Sequence, residues 1–101
     1  MGNHISLSSP ILKGFIHADV TLGASPSSVL ASNATSSRRI IVLVQNKSAT
    51  ATIQVILAET GSVGVIVPPL SNISLDNYNG PVRAFTNDGA GSVVHIAYSQ
   101  V

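Results

Sequence analysis

Short runs of β-forming residues recur along this chain, and each is halted by a turn signal after roughly 8–12 residues. That rhythm points to an all-β fold, because no stretch carries apolar residues at helical spacing over about 11 positions. Ile40 to Val44 is a continuous apolar run between Arg38-Arg39 and Gln45-Asn46; it is short, rich in β-branched residues and apolar on both faces, as expected of a covered strand. Asn46-Lys47-Ser48 then reads as a turn. The next run alternates, with Ile53, Val55 and Leu57 on one face and Thr52, Gln54, Ile56 and Ala58 on the other. The segments 38–46 and 50–59 together predict an antiparallel hairpin.

Downstream, Thr60-Gly61-Ser62 turns the chain into VGVIV, which stops at Pro68-Pro69 because proline cannot continue a ladder. Ile73 to Tyr78 is a further strand, and Asn79-Gly80-Pro81 a strong turn signal. VRAFTN alternates, the segment around Asp88-Gly89 turns, and SVVHIAYSQV closes the chain with Val94, Ile96 and Tyr98 on one face. Upstream, Ile11 to Leu22 is rich in β-formers, with Gly14 as an interruption. Residues 23–37 are rich in Ser and Ala and read as a long loop holding a short strand at Val29 and Leu30.

These runs predict a single-domain β-sandwich, jelly-roll or immunoglobulin-like, of seven or eight short antiparallel strands over residues 13–101, preceded by a flexible arm at 1–12. The expected core is Ile40, Val42, Val44, Ile53, Val55, Leu57, Val94, Ile96 and Tyr98.

Charge is what separates this chain from an ordinary soluble domain. Only 9% of its residues are charged, against a usual share of about 25%. A formal net charge of +1 gives no basic face for nucleic acid and little protection against association. No apolar run approaches the roughly 20 residues of a membrane-spanning helix, and no leader pattern is legible at the N-terminus. The chain has no cysteine, which removes disulfides and thiolate metal sites.

Catalytic patterns are likewise missing from the sequence. There is no Gly-x-Ser-x-Gly elbow, and Asp19, Glu59, Asp76 and Asp88 fall at separate turns or strand ends. His4, His17 and His95 lie far apart with no acid beside them in sequence, so their spacing announces no metal site. The glycine pairs at 61–64 and 89–91 read as hairpin turns, since neither is followed by a helix that would hold phosphate. The sequons at Asn33, Asn46 and Asn72 read as Asn-rich turns. Arg38-Arg39 reads as a solvated strand end guarding the most apolar strand, with contact to an acidic partner surface as the competing reading. The expectation is a non-enzyme with no catalytic, cofactor or metal residues.

From Arg38 onward the order of features is a charged entry, an apolar strand ending in Asn46, a strand halted by Pro68-Pro69, the Asn79-Gly80 turn, PVRAFTN and a terminal SVVHIAYSQV. This order resembles the small β-sandwich accessory proteins of double-stranded DNA phages, namely capsid decoration (cement) proteins and head-fibre or spike base domains. The resemblance covers about two thirds of the chain and is one of strand-and-turn order, without a signature motif.

It implies a structural protein made in the host cytoplasm and carried on the virion capsid surface. It further implies a homodimer or homotrimer that binds the major capsid protein or another virion protein, with no nucleic-acid or membrane partner. The interface expected on this reading is Ile11, Leu12, Arg38, Arg39, Ile41, Leu43 and Ile56. The competing expectation is a receptor- or carbohydrate-binding module of a phage spike or fibre, using the turns at 76–81 and 87–91. Four aromatic residues and no tryptophan leave that module little ring surface on which to stack a sugar.

Overall fold

A computed structural model of the chain describes residues 14–33, 38–87 and 92–100. The expected arm at 1–12, including Ile11 and Leu12, lies outside the described residues, as does most of the turn at 87–91. Eight strands run in chain order: β1 (Ile16–Leu22), β2 (Ser27–Leu30), β3 (Arg39–Asn46), β4 (Ile53–Ile56), β5 (Val65–Val67), β6 (Asn72–Asp76), β7 (Val82–Thr86) and β8 (Ser92–Gln100). They form two four-stranded antiparallel sheets, ordered β1-β8-β3-β6 and β2-β7-β4-β5. This is the expected β-sandwich.

The strand pairings are nested. β4 pairs with β5, β3 with β6, β2 with β7 and β1 with β8, so the chain is one long hairpin doubled back on itself. The β3–β8 and β4–β7 pairings then roll that hairpin into two layers. Alternation decides which side chains go inside. In the first sheet the inner rows are Ile96–Val44–Ile73 and Tyr98–Val42–Leu75, while Ala18 and Ile16, their register partners at the β1 edge, stay exposed. In the second sheet Ile53, Val55, Val67, Val82 and Ala84 face them. Leu22, Val42, Val44, Ile53, Val55, Val94 and Ile96 are essentially inaccessible to water. Fully burying each such aliphatic chain contributes about 1.5–3 kcal/mol.

Several expectations change here. The segments 38–46 and 50–59 do not form a hairpin: β3 and β4 belong to different sheets, and the chain crosses between them over residues 47–52. Asn46 directs that crossing. It is fully buried at the end of β3, and its Nδ2 lies within donating distance of Ala51 O (2.8 Å), Val67 O (3.1 Å) and Pro68 O (3.1 Å). Its Oδ1 accepts from Ser48 N at 3.0 Å, and Ser48 Oγ in turn accepts from Ala51 N at 2.9 Å. One side chain thus bridges the end of a strand in one sheet to the segment before β4 and the end of β5 in the other.

Ile56, expected on a covering face for a neighbour, is 3% exposed and packed within the chain. The connection after β4 curls back over it. Gly64 N donates to Gln54 Oε1 at 3.1 Å, and Arg83 donates to Gly61 O at 3.1 Å. Gly64 sits so close that a Cβ there would lie 2.4 Å from Val55 O and 3.0 Å from Ile56 Cγ1. Ile40, expected in the core, is only half-buried, because the register with β8 slips between Arg39 and Ile41. The slip makes Ile40 the extra residue of a bulge and brings Arg39 opposite Gln100, onto the inward-facing side of the strand.

Candidate assembly surface

Arg39 shows what the bulge achieves. Its side chain closes one end of the sandwich, 4% exposed, with its guanidinium 5.4 Å from the Tyr98 ring centroid. It donates to Gly80 O at 2.9 Å and to Ala31 O, and its own backbone N–H donates to Asn79 Oδ1 at 2.9 Å. Burial pushes this guanidinium below its ordinary pKa and the neighbouring Tyr78 phenol above its own. Arg39 is therefore a brace within the chain and offers no surface to a partner, contrary to expectation. Its neighbour Arg38 is exposed. Of the remaining expected interface residues, Ile41 and Leu43 are half-buried on the outer face of the first sheet, in the rows Ser99–Ile41–Asp76 and Ala97–Leu43–Ser74.

The sheet edges show a sharper contrast. Among the described residues each sheet has two: β1 and β6 in the first, β2 and β5 in the second. β6 exposes Asn72, Ser74 and Asp76 and turns Ile73 and Leu75 inward. β2 exposes Ser27 and Ser28 while Val29 and Leu30 pack on the core. These are the polar edges expected of a protein that avoids pairing.

The other two edges differ. Beside β5 stand Val63 (84% exposed), Val65 (47%), Ile66 (64%) and Leu70 (64%), and at the start of β1 stand Phe15 (41%) and Ile16 (53%). These six are the exposed large apolar residues among the described residues, and all lie in or beside β1 and β5. Leu70 is also held at φ 59°, in the turn where Ser71 N donates to Pro68 O at 3.2 Å. A non-glycine residue in that left-handed region costs about 1–2 kcal/mol.

On the outer face of β1 and β8 the fold assembles a polar chain that sequence spacing did not announce. Register places Asp19 opposite His95 and His17 opposite Ala97, so the three side chains emerge together. His95 Nδ1 lies 2.6 Å from Asp19 Oδ1, and His17 Nδ1 lies 2.9 Å from His95 Nε2. Lys47 Nζ completes the chain at 3.1 Å from Asp19 Oδ2. Hydrogen bonds from His95, then from Lys47, hold the Asp19 carboxyl below its ordinary pKa. The signal for this cluster was non-local: His17 and His95 are 78 residues apart. Among the described residues, no group of three or more His, Cys, Asp or Glu side chains converges to hold a metal.

An open groove of about 500 Å³ crosses the second sheet near Ser27, Ser28, Ser32, Glu59, Pro81 and Arg83. No aromatic ring lines it. It shares only Pro81 with the turn expected to carry a ligand site at 76–81.

No protein-family model matches the chain, and no curated protein matches its sequence. Solved structures match in fold. One is described as Bacillus endospore appendages forming a family of disulfide-linked pili, at 15% identity and a TM-score of 0.59, covering 96% of this chain and 97% of that one. A second is the coat protein of tobacco streak virus, at 12% identity and a TM-score of 0.34, covering 93% and 90%. The first likeness extends over almost the whole of both chains and defines the class of fold, a single β-sandwich. The second is too distant to add to it.

Proposed function

We propose that this chain is a non-catalytic structural subunit that assembles with copies of itself through the open edges β1 and β5. The observation carrying this reading is the contrast among edges: two are polar and two, one on each sheet, hold the exposed apolar side chains. An open edge presents unpaired N–H and C=O groups, and apolar neighbours add the burial that makes pairing stable. Pairing of unlike edges produces rings or filaments, and pairing of like edges produces closed dimers. Leu70 supports the same reading, since its backbone N–H is bonded to Ser48 O within the chain but its side chain stands in water and gains burial only against a neighbour. The fold likeness to an appendage protein is compatible with a polymer. Residues 1–101 have no cysteine, so the contacts proposed here are non-covalent.

The nested order of strand pairing supports the jelly-roll form of the sandwich over the immunoglobulin-like one. A finer reading, a decoration protein on a virus capsid, keeps the same edges and adds a shell as partner; it rests on the strand-order resemblance in the sequence.

The test is mass by light scattering over a concentration series, with electron microscopy of the concentrated sample. Wild type is expected to exceed the monomer mass increasingly with concentration. Ile66→Lys is expected to return it to monomer. Leu70→Gly is expected to weaken association while leaving the urea midpoint unchanged or raised. A wild type that stays monomeric throughout would sink the proposal.

A further inference from the structure

We propose that His17 and His95 form an open two-imidazole site for a divalent transition ion of the Zn²⁺ type, with Asp19 as the carboxylate that orients His95. This inference does not depend on self-assembly. Geometry supplies the first part of the argument. His95 directs Nδ1 at Asp19 Oδ1, 2.6 Å away, and Asp19 is in turn fixed by Lys47 at 3.1 Å. The ring therefore donates its Nδ1 proton to the carboxylate, and a neutral His95 keeps its lone pair on Nε2. A carboxylate behind a histidine, setting tautomer and basicity, is the usual support of a metal-bound imidazole.

The second part is distance. His95 Nε2 lies 2.9 Å from His17 Nδ1, and in the neutral form of His95 the His17 N–H fills that gap when no metal is bound. Two nitrogens bound to a tetrahedral ion at about 2.0–2.1 Å stand about 3.3 Å apart. The rings must part by a few tenths of an ångström and tilt by about 35° each, so that lone pairs now aimed end-on converge on the ion. His17 is exposed on the edge strand β1, and nothing in the core has to move with it.

Binding moves one proton without losing it. The His17 proton leaves Nδ1 for Nε2 of the same ring, Nδ1 becomes a ligand, and the His95–Asp19 bond stays as it is. Imidazole ligands suit Zn, Cu, Ni and Fe, whereas Mg²⁺ and Ca²⁺ prefer oxygen. Because no third ligand converges among the described residues, water or side chains of a second copy fill the remaining positions.

The experiment titrates the full chain with ZnCl₂ by calorimetry and follows the imidazole nitrogens by ¹⁵N NMR. Saturable Zn²⁺ binding is expected, with His17 switching from the Nδ1–H to the Nε2–H tautomer. MgCl₂ is expected to do neither. His17→Ala, at an exposed position, should lose at least tenfold in affinity, while His4→Ala should keep it. Asp19→Asn should weaken binding by about 10–100-fold, as loss of such an orienting carboxylate does. Absence of Zn²⁺ binding, or an unchanged affinity in His17→Ala, overturns the site. An unchanged His17 tautomer at saturation overturns it independently of any variant. Unchanged affinity in Asp19→Asn overturns the orienting role.

Discussion

Replacing Asn46 should cost this fold more than any other exchange of one polar side chain. Two amide hydrogens on Nδ2 serve three carbonyls at 2.8–3.1 Å, and Oδ1 accepts from Ser48 N at 3.0 Å. Asn46→Ala leaves two carbonyls and one N–H short of a partner, at about 1–3 kcal/mol for each buried group. Water reaching the half-buried Ser48 side reduces the sum, so the expected loss is about 3–5 kcal/mol. For a small domain of about 5–15 kcal/mol total stability, that is a large fraction. Urea unfolding followed by far-UV circular dichroism reads it directly. With m of about 1–1.5 kcal/mol/M, the midpoint should fall by at least about 2 M at unchanged m. Asn46→Asp separates shape from hydrogen bonding: it fills the same space but turns an acceptor oxygen toward three carbonyls. It should be at least as damaging as alanine at neutral pH. A loss under about 1 kcal/mol in Asn46→Ala, or wild-type stability in Asn46→Asp, would refute the bridging role.

Gly64→Ala would put a Cβ 2.4 Å from Val55 O, a backbone atom, and so should destabilise by about 1–3 kcal/mol in the same urea assay, with the β4–β5 loop gaining protease sensitivity. Arg39→Lys keeps the charge but cannot span Gly80 O and Ala31 O together; a loss of about 1.5–3 kcal/mol is expected, and an unchanged midpoint would deny the bracing role. The Asp19 carboxyl has its pKa lowered in the folded chain, so it stabilises the fold above its ordinary value of 3.8, and that contribution is lost as pH falls through the folded value. Asp19→Asn should therefore flatten the acid limb of urea midpoint against pH, measured with chelator present, and an unchanged limb would contradict it.

Local alternation made much of the core legible. Ile53, Val55, Val94 and Ile96 were readable from period two, and Val42 and Val44 from a β-branched run apolar on both faces; all are buried. What sequence could not show was which strand lies beside which. Asn46-Lys47-Ser48 has the composition of a hairpin turn, yet the buried amide of Asn46 is satisfied only by crossing to the other sheet. Ile56 read as a residue needing cover from a neighbour or the second sheet, because nothing local says that residues 57–64 fold back over it. Arg39 looked like a surface charge because its inward turn depends on one extra residue, Ile40, in the ladder with β8. The Asp19–His95–His17 chain stayed hidden for the same reason: it exists only through the β1–β8 register. The apolar run at 63–66 was visible, but its position on an open edge was not.

The doubled-back hairpin also sets an order of events for the chain as it folds. Its innermost pair, β4 with β5, closes a short loop, while Ile16 can meet Tyr98 only after everything between them has been gathered in. Closing each wider loop adds little extra entropy once the inner one exists, because the inner strands already hold the ends near each other. Topologies dominated by such distant pairings fold on millisecond-to-second timescales. By the same nesting β1 is expected to be the last strand to dock, and it carries Ile16, His17 and Asp19, with Phe15 just before it. The β5 edge belongs instead to the innermost hairpin, so under the proposed assembly through both edges it is the β1 contact alone that waits for folding to finish.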